Sequence, residues 1–217
     1  ARRQMKGRAK GVVLDLRGNP GGLLSQAIRV SDLFLTRGRI VSTRGRHPDS
    51  AQDYDARRND IAKGLPIAVL VDGKSASAAE IVAAALQDQR RAVVIGTSSF
   101  GKGTVQTVTR LPNEGEITLT WSRFVTPSGY VLHGLGVPPA VCTSAARGGA
   151  ARLVTETLVR AHEASLIAGA WRDVALSNAA RRKNLRAACP ARAAQGKLDL
   201  EVAGLLLRDR DLYERVL

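Results

Sequence analysis

The sequence predicts an α/β domain with a mixed sheet, followed by a helical C-terminal extension. Twice in the first hundred residues, a short apolar run is followed by a glycine-containing turn and a helical pattern. After Gly103 the pattern changes to paired runs of alternating apolar and polar residues, which are typical of antiparallel strands. Strand–turn–helix–strand units followed by paired strands indicate the α/β class. The length of 217 residues and the 44% share of hydrophobic residues suffice for one buried core.

The first unit begins at an apolar run, residues 11–16, which predicts a buried strand. The turn at 17–22 contains three glycines, which can take positive φ or let another backbone come close. Apolar residues at helical spacing then predict a helix of about a dozen residues that ends near Gly38. Residues 39–44 predict a short strand, and the polar stretch 45–64 is interpreted as a long surface loop.

The second unit repeats this order with stronger apolar patterns. Residues 68–72 predict a strand, residues 75–88 a helix, and residues 91–96 another strand. Two alternating runs, 104–111 and 116–125, predict an antiparallel pair joined by a turn that contains proline and glycine.

The last third of the chain has a helical, arginine- and alanine-rich composition. We predict helices within residues 150–170, 175–188 and 200–216. The chain is therefore divided into a core, residues 1–141, and a C-terminal extension, residues 142–217, that packs on the core or on another subunit. Because a basic segment leads directly into the first apolar strand, without the apolar region of a signal peptide, we expect the chain to start in the middle of the fold.

The net charge and the two cysteines give only weak indications of binding partners and of a disulfide. The net charge of +14 divides into +5 for residues 1–10, +4 for 11–141 and +5 for 142–217. Few aromatic residues accompany these charges, so a solvated arginine-rich surface is expected rather than binding of nucleic acid. No run of apolar residues is long enough to span a membrane. Cys142 and Cys189 are compatible with one disulfide or none.

Several common catalytic motifs are missing. The sequence has no HExxH, and His47, His133 and His162 lack metal-ligand spacing, so we expect neither a metal nor a cofactor. There is no GxSxG motif, although His133 remains a candidate for a triad built from distant residues. Residues 96–102 match GxxxxGK, but Gly103 replaces the Ser or Thr of a P-loop, and a strand pattern follows where a helix is required.

The remaining catalytic arrangement to consider is a serine nucleophile with a lysine as its base. A serine hydroxyl needs a base to take its proton, and lysine can act only as the neutral amine, which requires burial or a nearby positive charge. Of the chain's seven lysines, Lys102 alone lies between two apolar strands with a glycine on each side, where we expect it to be desolvated. Ser77 lies in the first turn of the predicted helix 75–88, whose N-terminus favours negative charge. The simpler explanation is an N-cap serine, which accounts for Ser75, and a solvated lysine.

Four blocks of residues 10–141 carry a family resemblance: 11–22, 75–81 with 85–88, 96–106 and 134–138. They resemble the protease core of the carboxy-terminal processing peptidases, the tail-specific serine proteases. The resemblance implies a ClpP/crotonase-like core with ββα-type repeats. It also implies a serine endopeptidase that cleaves protein substrates near their C-termini.

The resemblance also implies roles for individual residues. Ser77 and Lys102 are 25 residues apart, as in the family, and correspond to the nucleophile and the general base. Gln106 would hold the lysine side chain in place.

The remaining site residues follow from the same blocks. The oxyanion hole would be the backbone N–H of Ala78 and an amide from Gly21 or Gly22. Glu80 and Asp88 match family positions close to the site and are expected to support it.

Two positions differ from the family pattern, and one region is expected outside this chain. Lys74 stands where glycine is common, and Pro139 follows Pro138 in place of aspartate. The family's PDZ domain has no counterpart in the sequence. By resemblance, the partners are proteins with apolar C-terminal tails, the location is periplasmic or otherwise extracytoplasmic, and homo-oligomerisation is open. The alternative is a non-catalytic module of the same fold that binds a peptide or another ligand.

Overall fold

The computed structural model describes residues 9–57, 60–144, 146, 148–160, 166, 169–194 and 196–217. Within these residues, eight strands form two four-stranded sheets. The strands are β1 (Val12–Asp15), β2 (Arg39–Arg44), β3 (Gln52–Asp55), β4 (Ile67–Val71), β5 (Val93–Gly96), β6 (Thr104–Arg110), β7 (Glu116–Val125) and β8 (Val141–Cys142). The labelled helices are α1 (Leu24–Asp32), α2 (Ala78–Asp88), α3 (Ala150–Val159), α4 (Ala179–Ala187), α5 (Leu198–Arg208) and α6 (Arg210–Val216). The predicted α/β class is confirmed, but the parallel and antiparallel strands lie in two separate sheets rather than in one mixed sheet.

The parallel sheet, in the order β1-β4-β5-β8, is the centre of the molecule. Every residue of β4 is buried, and alternate side chains point to opposite faces. Val69 and Val71 pack in the same cluster as α1 and α2, whereas Ala68 and Leu70 pack against the C-terminal helices. The C-terminal extension therefore covers one face of the sheet, as predicted for an extension that packs on the core.

The antiparallel sheet, in the order β3-β2-β7-β6, contains one strand, β3, that the sequence pattern did not predict. The predicted loop 45–64 was wrong in part, because it contains β3 and a short 3₁₀ turn at Pro48–Ser50. The side chains of β3 are polar and pair with arginines of β2: Arg39 binds Asp55 at 2.6 Å, and Arg44 binds Asp53 at 2.7 Å. This edge strand is held by charge pairs, by backbone bonds and by the packing of Tyr54 against the core.

The helices are shorter than the periodicity indicated. α1 ends at Asp32 after nine residues, before the predicted end near Gly38. The single helix predicted for 200–216 is divided, because Asp209 is extended (φ −118°, ψ 104°) and its carboxylate caps α6 by accepting the Leu212 N–H.

Cys142 and Cys189 form a disulfide, which joins β8 to the segment after α4. The sequence had left this pairing open. Among the described residues, no helix is both long enough and apolar enough to cross a membrane. His162 and the basic residues before position 9 lie outside the described residues.

Candidate active site

Ser77 occupies a strained turn between β4 and α2. Its backbone has φ 54° and ψ −116°, a conformation that L-residues rarely adopt and that costs about 1–3 kcal/mol. Helix α2 begins at the next residue, Ala78, so the serine stands on a sharp strand-to-helix turn. Such turns expose the nucleophile of hydrolases that carry a GxSxG motif. The same kind of geometry forms here without that motif.

The turn is fixed by its buried neighbours. Ser75 is fully buried, and its hydroxyl donates to the Leu16 carbonyl at 2.7 Å. The Ala76 N–H donates to the Asn19 carbonyl at 2.9 Å. The prediction that Ser75 is an N-cap was wrong, because the helix begins three residues later and Ser75 instead joins the turn to the glycine-rich loop at 17–22.

Asp72, at the end of β4, organises the same region. Its Oδ1 accepts the N–H groups of Gly18 and Lys74, each at 2.9 Å, and its Oδ2 accepts the N–H of Ala194 at 3.0 Å. Burial alone would raise the pKa of Asp72, but these backbone donors hold it below its usual value. Sequence reasoning did not single out this residue, although an aspartate after a buried strand and before Gly-Lys is a common turn signal.

Glu80 joins the two proposed members of the catalytic pair. Its side chain is fully buried, and its Oε2 accepts both the Ser77 N–H at 2.7 Å and the Lys102 N–H at 2.9 Å. Its Oε1 accepts the Ser99 hydroxyl at 2.5 Å and the Gly101 N–H at 2.6 Å. One carboxylate therefore fixes the backbone of the serine turn relative to the backbone of the lysine loop.

The charge of Glu80 is costly to bury. Burial raises the pKa of the Glu80 carboxyl above its ordinary value, although the four hydrogen bonds oppose this shift. A buried acceptor with four donors is expensive to remove, since each donor would lose its partner.

Lys102 lies in the loop between β5 and β6. Its side chain is exposed, so the expected desolvation is not met in the structure. The backbone around it is nevertheless tightly packed. A Cβ added at Gly103 would lie 2.2 Å from the backbone nitrogen of His133, and the Gly134 N–H donates to the Gly101 carbonyl at 2.9 Å. Within the part of the chain that the structure describes, the contacts that hold Lys102 are those of its main chain.

The proposed oxyanion donors fall at the Ser77 turn. A Cβ on Gly21 would lie 2.9 Å from both the Ala78 nitrogen and the Ser77 Cβ, so the glycine loop touches the serine turn. The Gly21 N–H already donates to the Asn19 side chain at 2.9 Å. No described residue accepts a hydrogen bond from the N–H of Ala78 or of Gly22. The structure therefore favours Ala78 and Gly22 over Gly21 as the amides available for an anion.

The other candidate residues lie farther from this centre. Gln106 is exposed on β6, beside an irregularity of the strand pairing between Val105 and Gln106, and no described contact joins it to Lys102. Asp88 ends α2, about 16 Å along the helix from Ser77 at 1.5 Å per residue. Its Oδ2 accepts the Ser128 N–H at 2.9 Å. Burial raises the pKa of Asp88 against the hydrogen bonds from Ser128.

His133 does not form a triad with the serine among the described contacts. Burial, followed by the charges of Arg123 and Arg182, lowers the pKa of its imidazole. No described carboxylate binds its ring, which is what a triad would need for orientation. Among the described residues, no group of three or more His, Cys, Asp or Glu side chains could hold a metal ion.

The C-terminal extension contacts several segments around the site. Arg17, in the glycine loop, binds Asp199 at 3.2 Å. The Arg192 carbonyl accepts the Gly73 N–H at 2.7 Å. Arg186 donates to the Ser99 carbonyl at 2.9 Å and to the Leu135 carbonyl. Sequence reasoning did not identify these contacts, since nothing in the pattern of the extension indicates which carbonyls its arginines reach.

Comparison with known proteins extends over most of this core. The model of peptidase family S41 matches residues 1–142. A carboxy-terminal-processing protease of Bartonella bacilliformis is 55% identical over 132 residues, which are 61% of this chain and 30% of that protein. A probable CtpA-like serine protease of Staphylococcus aureus is 37% identical over 134 residues, 61% of this chain and 27% of that protein.

A solved structure is similar over the same region. The photosystem II D1 C-terminal processing protease matches with a TM-score of 0.57 and 36% identity, over 63% of this chain and 35% of that one. The chain thus spans about a third of the length of the relatives it matches.

Proposed function

Because this chain belongs to peptidase family S41, we propose that it carries the catalytic centre of a serine endopeptidase that cleaves proteins near their C-termini. Ser77 is the nucleophile and Lys102 is the general base. The observation that carries the proposal is the Glu80 carboxylate, which binds the N–H groups of both residues through a single oxygen atom.

The reaction begins with transfer of the Ser77 Oγ proton to the neutral amine of Lys102. Oγ then forms a bond to the scissile carbonyl carbon, and the carbonyl oxygen becomes an oxyanion. Lys102 returns its proton to the leaving amine as the C–N bond breaks, which leaves an acyl-enzyme. A water molecule deacylates it with Lys102 again acting as base.

Two features of the turn suit the oxyanion step. The Ala78 N–H is the first of helix α2, where the helix dipole favours negative charge. The Gly22 N–H lies in the loop that touches the same turn through Gly21. Two preorganised backbone donors of this kind are worth several kcal/mol to a transition state, at roughly 3–4 kcal/mol for one donor.

Because Lys102 is exposed, its desolvation depends on the bound substrate. A lysine base acts only when its amine is neutral, which water around an ammonium group opposes. We propose that a peptide lying across the Ser77 turn covers this side chain and excludes water from it. Gln106 would then contact the lysine, and Asp88 would support the site only indirectly, by holding the turn at Ser128.

The finer assignments remain proposals. We propose that the substrates are proteins with apolar C-terminal tails and that the protein acts outside the cytoplasm. The proposed division into a core at 1–141 and an extension at 142–217 is supported by the family match over residues 1–142. Measurement of the molecular mass in solution would test whether the protein self-associates.

The test is cleavage of a protein with an apolar C-terminal tail by wild type, Ser77→Ala and Lys102→Arg. Both variants should lose at least about 1,000-fold in kcat/KM, because one lacks the nucleophile and the other keeps the charge without a usable base. If both variants cleave as wild type does, the dyad is excluded. If wild type binds this protein but does not cleave it, the chain is a binding module of the same fold.

A further inference from the structure

Arg186, near the end of α4, reaches from the C-terminal extension to the lysine loop, residues 97–103, which joins β5 to β6. Its side chain is partly buried. Its NH2 group donates to the Ser99 carbonyl at 2.9 Å, and its NH1 group donates to the Leu135 carbonyl. One guanidinium group therefore joins the lysine loop to the segment that follows β7.

The peptide bond between Ser99 and Phe100 is held at both of its polar ends. Its carbonyl accepts from Arg186, and its N–H donates to the Ser75 carbonyl at 2.9 Å, in the turn of the proposed nucleophile. Ser99 is fully buried, so its carbonyl would be costly to leave without a donor. The orientation of this peptide plane sets the direction in which the chain continues to Lys102.

The guanidinium group also packs against two glycines beside these contacts. A Cβ added at Gly101 would lie 3.3 Å from the NH1 nitrogen of Arg186, and a Cβ added at Gly136 would lie 2.9 Å from it. Gly101 has φ +91° and immediately precedes Lys102. The backbone next to the lysine therefore has little room to shift while the arginine is in place.

Arg186 is also coupled to the site by charge. Burial lowers the pKa of its guanidinium group, and the negative charge of Glu80 opposes this shift. Ser99 lies between the two, since its hydroxyl donates to Glu80 and its carbonyl accepts from Arg186. The arginine thus favours the ionised form of Glu80, which is the form that accepts the N–H groups of Ser77 and Lys102.

We propose that Arg186 is a positioning residue for the reaction of Ser77 with Lys102. By binding the carbonyls of Ser99 and Leu135 with one planar guanidinium group, it holds the backbone of the lysine loop in place. It acts through this loop and touches none of the reacting atoms. Its effect on catalysis rests on the proposed function, whereas its effect on the loop does not.

The variants Arg186→Met and Arg186→Lys test this role. Methionine keeps an apolar stem without a donor, and lysine keeps the charge without the planar fork. The matched controls are Arg182→Met and Arg182→Lys. Arg182 is a buried arginine of the same helix, and its described bonds go to the carbonyls of Val131 and His133.

The first measurement is amide hydrogen exchange by NMR at Gly101 and Lys102, in the 217-residue chain without substrate. Both amides donate to Glu80. We expect exchange at least about tenfold faster in Arg186→Met and about threefold faster in Arg186→Lys, because a loop that opens more often exposes its N–H groups. The amides of β4 in the same sample report global unfolding, and the Arg182 variants should accelerate the two loop amides less than the matching Arg186 variants.

The second measurement is steady-state cleavage of a protein with an apolar C-terminal tail, with kcat expressed per folded molecule. We expect kcat to fall about 100-fold in Arg186→Met and about tenfold in Arg186→Lys, because a displaced base slows the chemical step. KM should stay within about twofold of wild type in both variants, and kcat of the Arg182 variants within about threefold.

The proposal is overturned if the amides of Gly101 and Lys102 exchange at the wild-type rate in Arg186→Met, or if its kcat equals that of Arg182→Met. If Arg186→Met does not fold, the same two comparisons are made with Arg186→Lys and Arg182→Lys. If the wild-type chain does not cleave the protein, the proposed function is rejected, and the exchange rates alone decide whether Arg186 holds the lysine loop.

Discussion

The two sides of the proposed site are built differently. The nucleophile side is rigid: Ser77 is half-buried in a strained turn, with fully buried Ser75 and Glu80 on either side of it. The base side exposes Lys102, and its backbone N–H is bound by Glu80. Its neighbour Ser99 is bound through its carbonyl by Arg186, which lies 87 residues away in the C-terminal extension.

Both sides combine contacts within the segment that the family model matches, residues 1–142, with contacts from the C-terminal extension. On the nucleophile side, the Asp72 carboxylate accepts the Ala194 N–H and the Arg192 carbonyl accepts the Gly73 N–H. On the lysine side, Arg186 of α4 donates to the Ser99 carbonyl. We therefore expect changes in the extension to affect both sides of the site.

Glu80→Gln tests whether the two sides depend on one carboxylate. An amide places a donor against backbone N–H groups, so we expect a loss of at least about 3 kcal/mol in the free energy of unfolding. Because the amide keeps only one acceptor oxygen, either the Lys102 N–H or the Gly101 N–H would lose its partner, and kcat should fall at least about 100-fold at a temperature where the variant is folded. Urea unfolding and steady-state kinetics measure the two effects.

The matched control for this variant is Glu156→Gln. Glu156 is partly exposed and pairs with Arg152 one helical turn away, so its loss should cost less than about 0.5 kcal/mol and leave kcat unchanged. If Glu80→Gln loses stability but keeps kcat, Glu80 supports the fold and does not position the pair.

Gly21→Ala tests the nucleophile side alone, with a smaller expected effect. Gly21 has φ +100°, and a Cβ there would lie 2.6 Å from the Ala76 carbonyl oxygen. Backbone strain and crowding together should cost about 3 kcal/mol and lower kcat. Gly129 has the same φ of +100° but no atom within 4 Å of a Cβ, so Gly129→Ala should cost only about 1–2 kcal/mol and spare kcat. Equal losses of stability and activity in both variants would show that the crowding at Ser77 has no effect.

Local patterns predicted the elements that carry the site. The apolar run of β4, the helix after it and the alternation of β6 and β7 all form where the sequence indicates. β3 was missed because its side chains are polar and are paired by charge. The break at Asp209 was missed because apolar periodicity continues across it, although an aspartate three residues before a helical N–H is a cap signal.

The sequence pattern nominated Ser77 and Lys102 as a pair, and that assignment stays a prediction. The expected desolvation of Lys102 was wrong, because its exposure depends on how the loop lies against residues 132–136. The Ser-x-x-Glu spacing of Ser77 and Glu80 is a capping-box signal and gives the bond from the Ser77 N–H. The bonds of Glu80 to residues 99, 101 and 102 join distant segments, and no local pattern specifies them.

The central claim is that Lys102 makes Ser77 nucleophilic, and covalent labelling tests it most directly. The rate of Ser77 modification by a fluorophosphonate probe would be measured by mass spectrometry in wild type, Lys102→Met and Lys74→Met. Lys74 is a matched control, since it is an exposed lysine three residues from Ser77 whose described hydrogen bond uses only its backbone N–H. We expect a rate at least about 100-fold lower in Lys102→Met and an unchanged rate in Lys74→Met. Equal labelling of Ser77 in wild type and Lys102→Met, or no labelling of Ser77 in wild type, would contradict it.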